Sequence, residues 1–279
     1  MSYRTLLAVT TGARPLAVQI DAAVGIARAE DAHLDVLSLG IDRIDTGYYF
    51  AGTSAIMLDE MARQARSDAA AAGEAVKARL RPEDIRWAAE AGVAQLGLVG
   101  SMVGERARFS DLVIAARPYG AEESAEREAV LEGALFFGGG PVLVVPDAGL
   151  AADYSDRIVF AWNRSDEAMA AARAALPFLK RAGLVSVAVI DPPSVGAERS
   201  DPGGALSQWL ARHGVRAEVS VLARTMPRLS DVLARHARDV NAGMIVMGAY
   251  SHSRFREAIL GGMTRDMLEG AGLPLLMAH

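Results

Sequence analysis

Short apolar runs alternate with longer stretches of helical spacing along the whole chain. Thr5–Thr10, Leu34–Ile41, Ile85–Ala91, Leu112–Ala115 and Pro141–Val145 each read as buried strands bounded by turn residues. Between them, Leu16–Arg28 places Val18, Ala22 and Ile26 at helical steps, and Ala55–Leu80 is an alanine-rich run of high helix propensity. Val93–Phe109 reads as a helix interrupted by Gly97 and Gly100. Arg117–Glu128 reads as a polar, acidic connection, and Ala129–Phe136 as a further helix that three glycines, 138–140, turn into the last strand. Tyr48, Tyr49 and Phe50 sit in the loop 42–54, where an aromatic cluster either folds back over the core or offers a contact patch.

After a turn-rich linker, Pro146–Asp156, the pattern starts again. Arg157–Trp162 reads as a strand, Ser165 as a helix cap and Glu167–Arg181 as one helix. Val185–Ile190, Val215–Ala223, Met244–Met247 and Leu273–Ala278 follow as strands, with helices at Gly203–His213 and Leu229–Val240. Leu6-Leu-Ala-Val in the first half answers to Ile158-Val-Phe-Ala in the second. The expected fold is α/β: two tandem, doubly wound parallel-sheet domains, residues 1–148 and 149–279. Right-handed crossovers then put a ligand crevice at the carboxyl ends of the strands in each half.

Composition narrows the chemistry. The chain has 279 residues, 51% hydrophobic and 23% charged, enough for two sizeable cores. No apolar run approaches the roughly 18–20 residues needed to span a bilayer, and the start is no signal peptide, so a cytoplasmic protein without membrane contact is expected. With no cysteine and five scattered histidines, disulfides, thiolate chemistry and zinc–thiolate sites are excluded, and no metal centre is expected. A net charge of −5 argues against a nucleic-acid platform. Residues 1–148 hold 14 Lys and Arg against 21 Asp and Glu, a balance of −7, and residues 149–279 hold 15 against 13, a balance of +2. The second half is the better host for an anion.

Candidate chemistry gathers between Met244 and Arg265. A buried-strand run ends at Gly248; a basic, hydroxyl-rich loop follows with Ser251, His252, Ser253, Arg254 and Arg256; Gly261 and Gly262 then open a helix. Glycines admit a ligand close to the backbone and a helix start leaves N–H groups unpaired, which together make a phosphate cradle. The plainer reading is that these glycines only end a strand and begin a helix. Tyr250 and Trp162 are the side chains able to plug the hollow.

The chain resembles a tandem universal stress protein, with both halves covered. The family's adenine-nucleotide signature is Gly, two residues, Gly, nine residues, Gly, then Ser or Thr. Here it stands as Gly248-Ala-Tyr-Ser251, nine residues, Gly261-Gly262, with Ser251 in place of the second Gly and Gly262 in place of the hydroxyl residue. The resemblance implies a Rossmann-like fold of the adenine-nucleotide hydrolase kind. It places Asn163 where nucleotide-binding members hold the ribose with a carboxylate, and Val189 in the run whose backbone reads the adenine edge. Met247 adjoins the implied site, and the resemblance implies that the N–H groups of Gly248, Ser251, Gly261, Gly262, Met263 and Thr264, with the Thr264 hydroxyl, face the phosphates. The first half, with Arg117, Pro118 and several glutamates at the matching place, is expected to be a non-binding copy.

The implied function is a stress-response regulator that binds ATP or a related adenine nucleotide, with Mg²⁺, through the second domain. No positioned general base accompanies the loop, so no enzyme activity beyond slow ATP hydrolysis is expected. The alternative is a ligandless stress-response scaffold; a hydrolase of related fold is the third reading, and no nucleophile–base pair supports it. The resemblance also implies an intramolecular pseudo-dimer of the halves through their last strands, and it allows a homodimer.

Overall fold

The computed structural model describes residues 2–12, 17–43, 55–119, 124–192, 201–249 and 262–279. The chain divides into two units, Ser2–Gly149 and Leu150–His279. The first unit runs β1 (Thr5–Thr11), α1 (Ala17–Glu30), β2 (His33–Asp42), α2 (Ala55–Leu80), β3 (Arg86–Gln95), α3 (Val99–Ala107), β4 (Leu112–Ala116), α4 (Ala125–Glu132) and β5 (Val142–Val145). The second runs β6 (Arg157–Ala161), α5 (Asp166–Ala174), α6 (Leu176–Arg181), β7 (Leu184–Ile190), α7 (Gly204–Arg212), β8 (Ala217–Leu222), α8 (Leu229–Asp239), β9 (Met244–Gly248), α9 (Gly262–Gly270) and β10 (Leu275–Ala278). Strand order is β3-β2-β1-β4-β5 in the first unit and β10-β9-β6-β7-β8 in the second, with parallel neighbours.

The central strands are apolar because both their faces are covered. Leu112–Ala116 is buried throughout, as is Val142–Val145. On α2, Ala65, Ala69, Ala72, Val76 and Leu80 recur at steps of three and four and are all buried, so small side chains set this long helix close against the sheet.

Several boundaries differ from the sequence pattern. The third strand continues past Ala91 to Gln95, because Gly92 and Val93 stay in register with Leu39 and Gly40 of the long β2. A short 3-10 turn, Leu96–Leu98, then leads into α3, and Gly100 lies inside that helix rather than breaking it. Its role is packing: a Cβ on Gly133 would lie 2.5 Å from the Gly100 carbonyl oxygen, so two helical backbones touch here. The next helix begins four residues before Ala129, because the Ser124 hydroxyl accepts from the Arg127 N–H at 3.2 Å and Glu126 and Glu128 occupy the favourable first turn. It runs on as a π-helical stretch, Gly133–Gly138, which Gly139 ends at φ +71°. The single helix expected over 167–181 is two, parted at Ala175, because Pro177 has no N–H and is accommodated only in a first turn.

A buried polar chain ties α8 to the second sheet. Ser220 Oγ and Ser186 Oγ are 3.0 Å apart, and Ser186 Oγ is 2.9 Å from His236 Nε2. Burial pushes the His236 pKa below its ordinary value, while Asp239 and Glu218 pull the other way. The folded state therefore binds a proton on His236 less readily than the unfolded chain does. Stability is expected to fall as pH drops through about 6.5, the unfolded value, and to be held above it. Denaturant unfolding at several pH values between about 5 and 7.5 checks this, with His236→Gln expected to flatten the slope; an unchanged slope in that variant would refute the assignment.

Among the described residues no helix is long and apolar enough to cross a membrane.

Candidate functional site

In the second unit β6 leads outward through β7 to β8, and β9 lies on its other side. The direction of winding reverses between β6 and β9, so the crevice beyond their carboxyl ends is a topological switch point. Register brings Ala161 beside Met247 on one side and Ala188 on the other, and Gly248 beside Ala278. The ends of β7, β6 and β9 are thus assembled at one place. Strand pairing alone puts Asn163, Val189, Met247 and Gly248 near that place.

Each has a partner in the fold. Asn163 is exposed, and its Oδ1 accepts from the Ser165 N–H at 3.1 Å. Ser165 Oγ in turn accepts from the Ala168 N–H at 3.1 Å and caps α5. Arg164, between them, holds φ +66°, a left-handed conformation that disfavours a side chain. Met247 is buried. A Cβ on Gly248 would meet Ala168 N at 2.6 Å and Glu167 C at 2.7 Å, so this glycine is required by the start of α5 whatever else approaches it.

The backbone of Val189 is turned away from the crevice. Trp162 N–H donates to Ala188 O, whereas Val185 N–H and Asp191 N–H donate to Arg216 O and Leu222 O of the β8 side. Alternation therefore directs Val189 to β8 and Ile190 to β6. At this strand end it is the Ile190 backbone that is turned toward the β6 side.

Gly262 opens α9 and is exposed, with nothing within 4 Å of an added Cβ. Met263 is half-buried. Thr264 is 4% exposed. The N–H groups at the helix start remain the groups suited to an anion. Ser251 and Gly261 lie outside the described residues, as do His252, Tyr250 and the aromatic cluster Tyr48–Phe50.

Two hydrogen-bonding features emerge only in three dimensions. Trp162 follows β6 directly and its ring stands 6.3 Å from Phe160. Its Nε1 is buried, and among the described residues it has no acceptor. A buried indole N–H normally finds one. The second is Gln19. In the first unit the corresponding crevice lies between β1 and β4, and Gln19 Nε2 donates there to Val9 O and Ile114 O, both at 2.9 Å. The space left beside it is about 10 Å³, roughly one water. A glutamine amid Val18, Ile20 and Ala22 was the visible signal, since a polar residue on a core-facing stripe needs buried partners.

Fold and crevice together define a doubly wound α/β protein with a switch-point site, and solved structures of that class match it. A universal stress protein from Archaeoglobus fulgidus DSM 4304 superposes with a TM-score of 0.71 at 12% identity, over 98% of this chain and 95% of that one. The functionally unknown protein PA1789 from Pseudomonas aeruginosa PAO1 gives a TM-score of 0.61 at 16% identity, over 99% and 92%. Residues 155–279 match the sequence model of the universal stress protein family. The Universal stress protein Slr1230 of Synechocystis sp. (strain ATCC 27184 / PCC 6803 / Kazusa) is 26% identical over 125 residues; the matched stretch covers 43% of this chain and 41% of that protein.

Proposed function

We propose that the chain is a stress-response regulator whose second unit binds an adenine nucleotide, ATP or a relative with Mg²⁺, with little or no turnover. The observation that carries this reading is the buried Trp162 Nε1–H just past the end of β6, which has no acceptor among the described residues. A buried donor without an acceptor costs about 1–3 kcal/mol, which a ligand recovers by supplying an acceptor there. The residues fit such a ligand in kind. Asn163 offers its NH₂ to a ribose hydroxyl, the Ile190 backbone faces a base edge, and the N–H groups of Gly262 and Met263 suit phosphate oxygens. Asn163 cannot act as a general base, which favours binding over hydrolysis.

The second reading, a ligandless scaffold, draws on Gly248 and Asn163, whose special features the fold already uses. Titration with ATP and Mg²⁺, followed by tryptophan fluorescence, separates the two. Under nucleotide binding the signal saturates, is lost in Trp162→Phe, and weakens at least about tenfold in Gly262→Asp, whose carboxylate repels phosphate at an open position. No response to any adenine nucleotide at millimolar concentration establishes the scaffold.

A further inference from the structure

β3 ends the strand order of the first unit. Its ten residues keep unbroken parallel register with β2, from Arg86 beside His33 to Gln95 beside Asp42. An end strand shows a row of unpaired N–H and C=O groups, and such edges are ordinarily short, kinked by a bulge, or guarded by Lys or Pro. β3 reads Arg-Trp-Ala-Ala-Glu-Ala-Gly-Val-Ala-Gln, with no Lys, no Pro and no bulge. Its two charged side chains are engaged on their own chain. Arg86 Nη2 lies 2.9 Å from Asp31 Oδ1, and Glu90 Oε2 lies 2.6 Å from Arg106 Nη1. Ala88 and Ala91 are exposed.

The ladder identifies the outward groups. His33 N–H donates to Arg4 O, and Leu39 O accepts from Gly12 N–H. Odd-numbered residues of β2 therefore turn to β1, and even-numbered ones to β3. In a parallel pair, a residue turned to its neighbour bonds to the two residues flanking its register partner. Leu34 stands beside Trp87, so its bonds go to Arg86 and Ala88, and the even-numbered residues of β3 turn inward. Trp87, Ala89, Ala91, Val93 and Gln95 then direct N–H and C=O away from the sheet. That set is symmetric about Ala91.

The symmetry indicates the occupant. In an antiparallel pairing with a second copy, centred on Ala91, Trp87 faces Gln95, Ala89 faces Val93 and Ala91 faces itself. Every outward residue meets an outward residue, and each facing pair exchanges two backbone bonds. Glu90 falls opposite Gly92, so no like charges meet. The amino end of one strand lies at the carboxyl end of the other. Phe109, which shares a cleft with Ala88 and Glu90 and is 83% exposed, is thereby carried toward the end of the other copy, where Leu98 is 56% exposed. Identical edges consume each other, so the assembly closes at two copies.

We propose that the chain forms a two-fold dimer in solution through β3, paired antiparallel with Ala91 on the axis. Sedimentation of the full chain at micromolar concentration is expected to show the dimer. The chain has no cysteine, so single Cys variants read the register directly. Facing residues of a hydrogen-bonded antiparallel pair lie about 5.5 Å apart at Cα, within disulfide range. Ala91→Cys is expected to give a covalent dimer on mild oxidation. Ala88→Cys, exposed on the same strand, is expected to give none, since the two thiols would stand about 20 Å apart along the strands. Ala91→Pro removes an outward N–H and leaves the β2 ladder untouched. It is expected to weaken the dimer at least about tenfold with far-ultraviolet circular dichroism preserved. The proposal is overturned by a monomer at every concentration reached, by equal cross-linking of the two Cys variants, or by an undiminished dimer in Ala91→Pro. Assemblies that grow beyond two copies, as pairing of β3 with the other end strand β8 would produce, overturn it as well.

Discussion

Gly133→Val is expected to lower the stability of the first unit by about 3 kcal/mol or more. Even a methyl group at this position would stand 2.5 Å from Gly100 O and 2.6 Å from Gly100 Cα, and backbone cannot swing aside as a flexible side chain can. Gly104 is equally tight against the same stretch, with an added Cβ 2.3 Å from Phe137 Cβ. Relief requires α3 to move off the Gly133–Gly138 stretch, which opens the core around the buried Val103, Ala107 and Leu135. The thermal midpoint should fall by roughly 6–12 °C for a unit of this size. Gly100→Ala is the matched control. Its Cβ first meets Phe137 Cε2 at 3.3 Å and Ala129 O at 3.6 Å, the former a side-chain tip able to shift. Gained helix propensity of about 1 kcal/mol offsets that displacement. A Gly133→Val protein melting with the wild type would show that these backbones are not in contact.

The second large effect is at Gly248. Gly248→Ala places a methyl group against Ala168 N and Glu167 C, at the N-terminal turn of α5. The helix start must retreat from β9, disturbing the Ser165 cap and the Asn163 turn that precedes it. A loss of about 2–3 kcal/mol is expected, and the mouth of the crevice should be deformed with it. Gly262→Ala should leave stability unchanged or slightly raised, since nothing lies within 4 Å of its new Cβ. Denaturant midpoints of the two variants decide the matter; equal midpoints would mean that Gly248 has no structural duty.

This pair of glycines also shows how far the sequence could be read. The strands were legible because buried parallel strands are continuous apolar runs, and the two series of alternating elements gave the doubly wound class. Boundaries failed where a distant partner decided them. Nothing local to Gly92 or Val93 says that β2 will carry β3 four residues further, and nothing beside Gly100 announces the helix that crosses it. Pro177 was a local signal, and it parts the helix as its chemistry requires. At the carboxyl end of the second sheet, register sets Met247 beside Ala161 and Gly248 beside Ala278, and Asn163 follows two residues past β6. Which backbone faces the crevice depends on strand parity, and the alternation that selects Ile190 over Val189 appears only once ladder partners are known. Trp162 and Gln19 each needed three dimensions: one is recognised by an acceptor it lacks, the other by two carbonyls it gains.

In the first unit Gln19 spends its amide on Val9 O and Ile114 O, between β1 and β4, where the second unit has its proposed nucleotide site. Under the nucleotide proposal the second unit is then the expected seat. Calorimetric titration against a nucleotide should end at one equivalent per chain with a Hill coefficient of unity, so any steeper curve would have to arise between separate molecules.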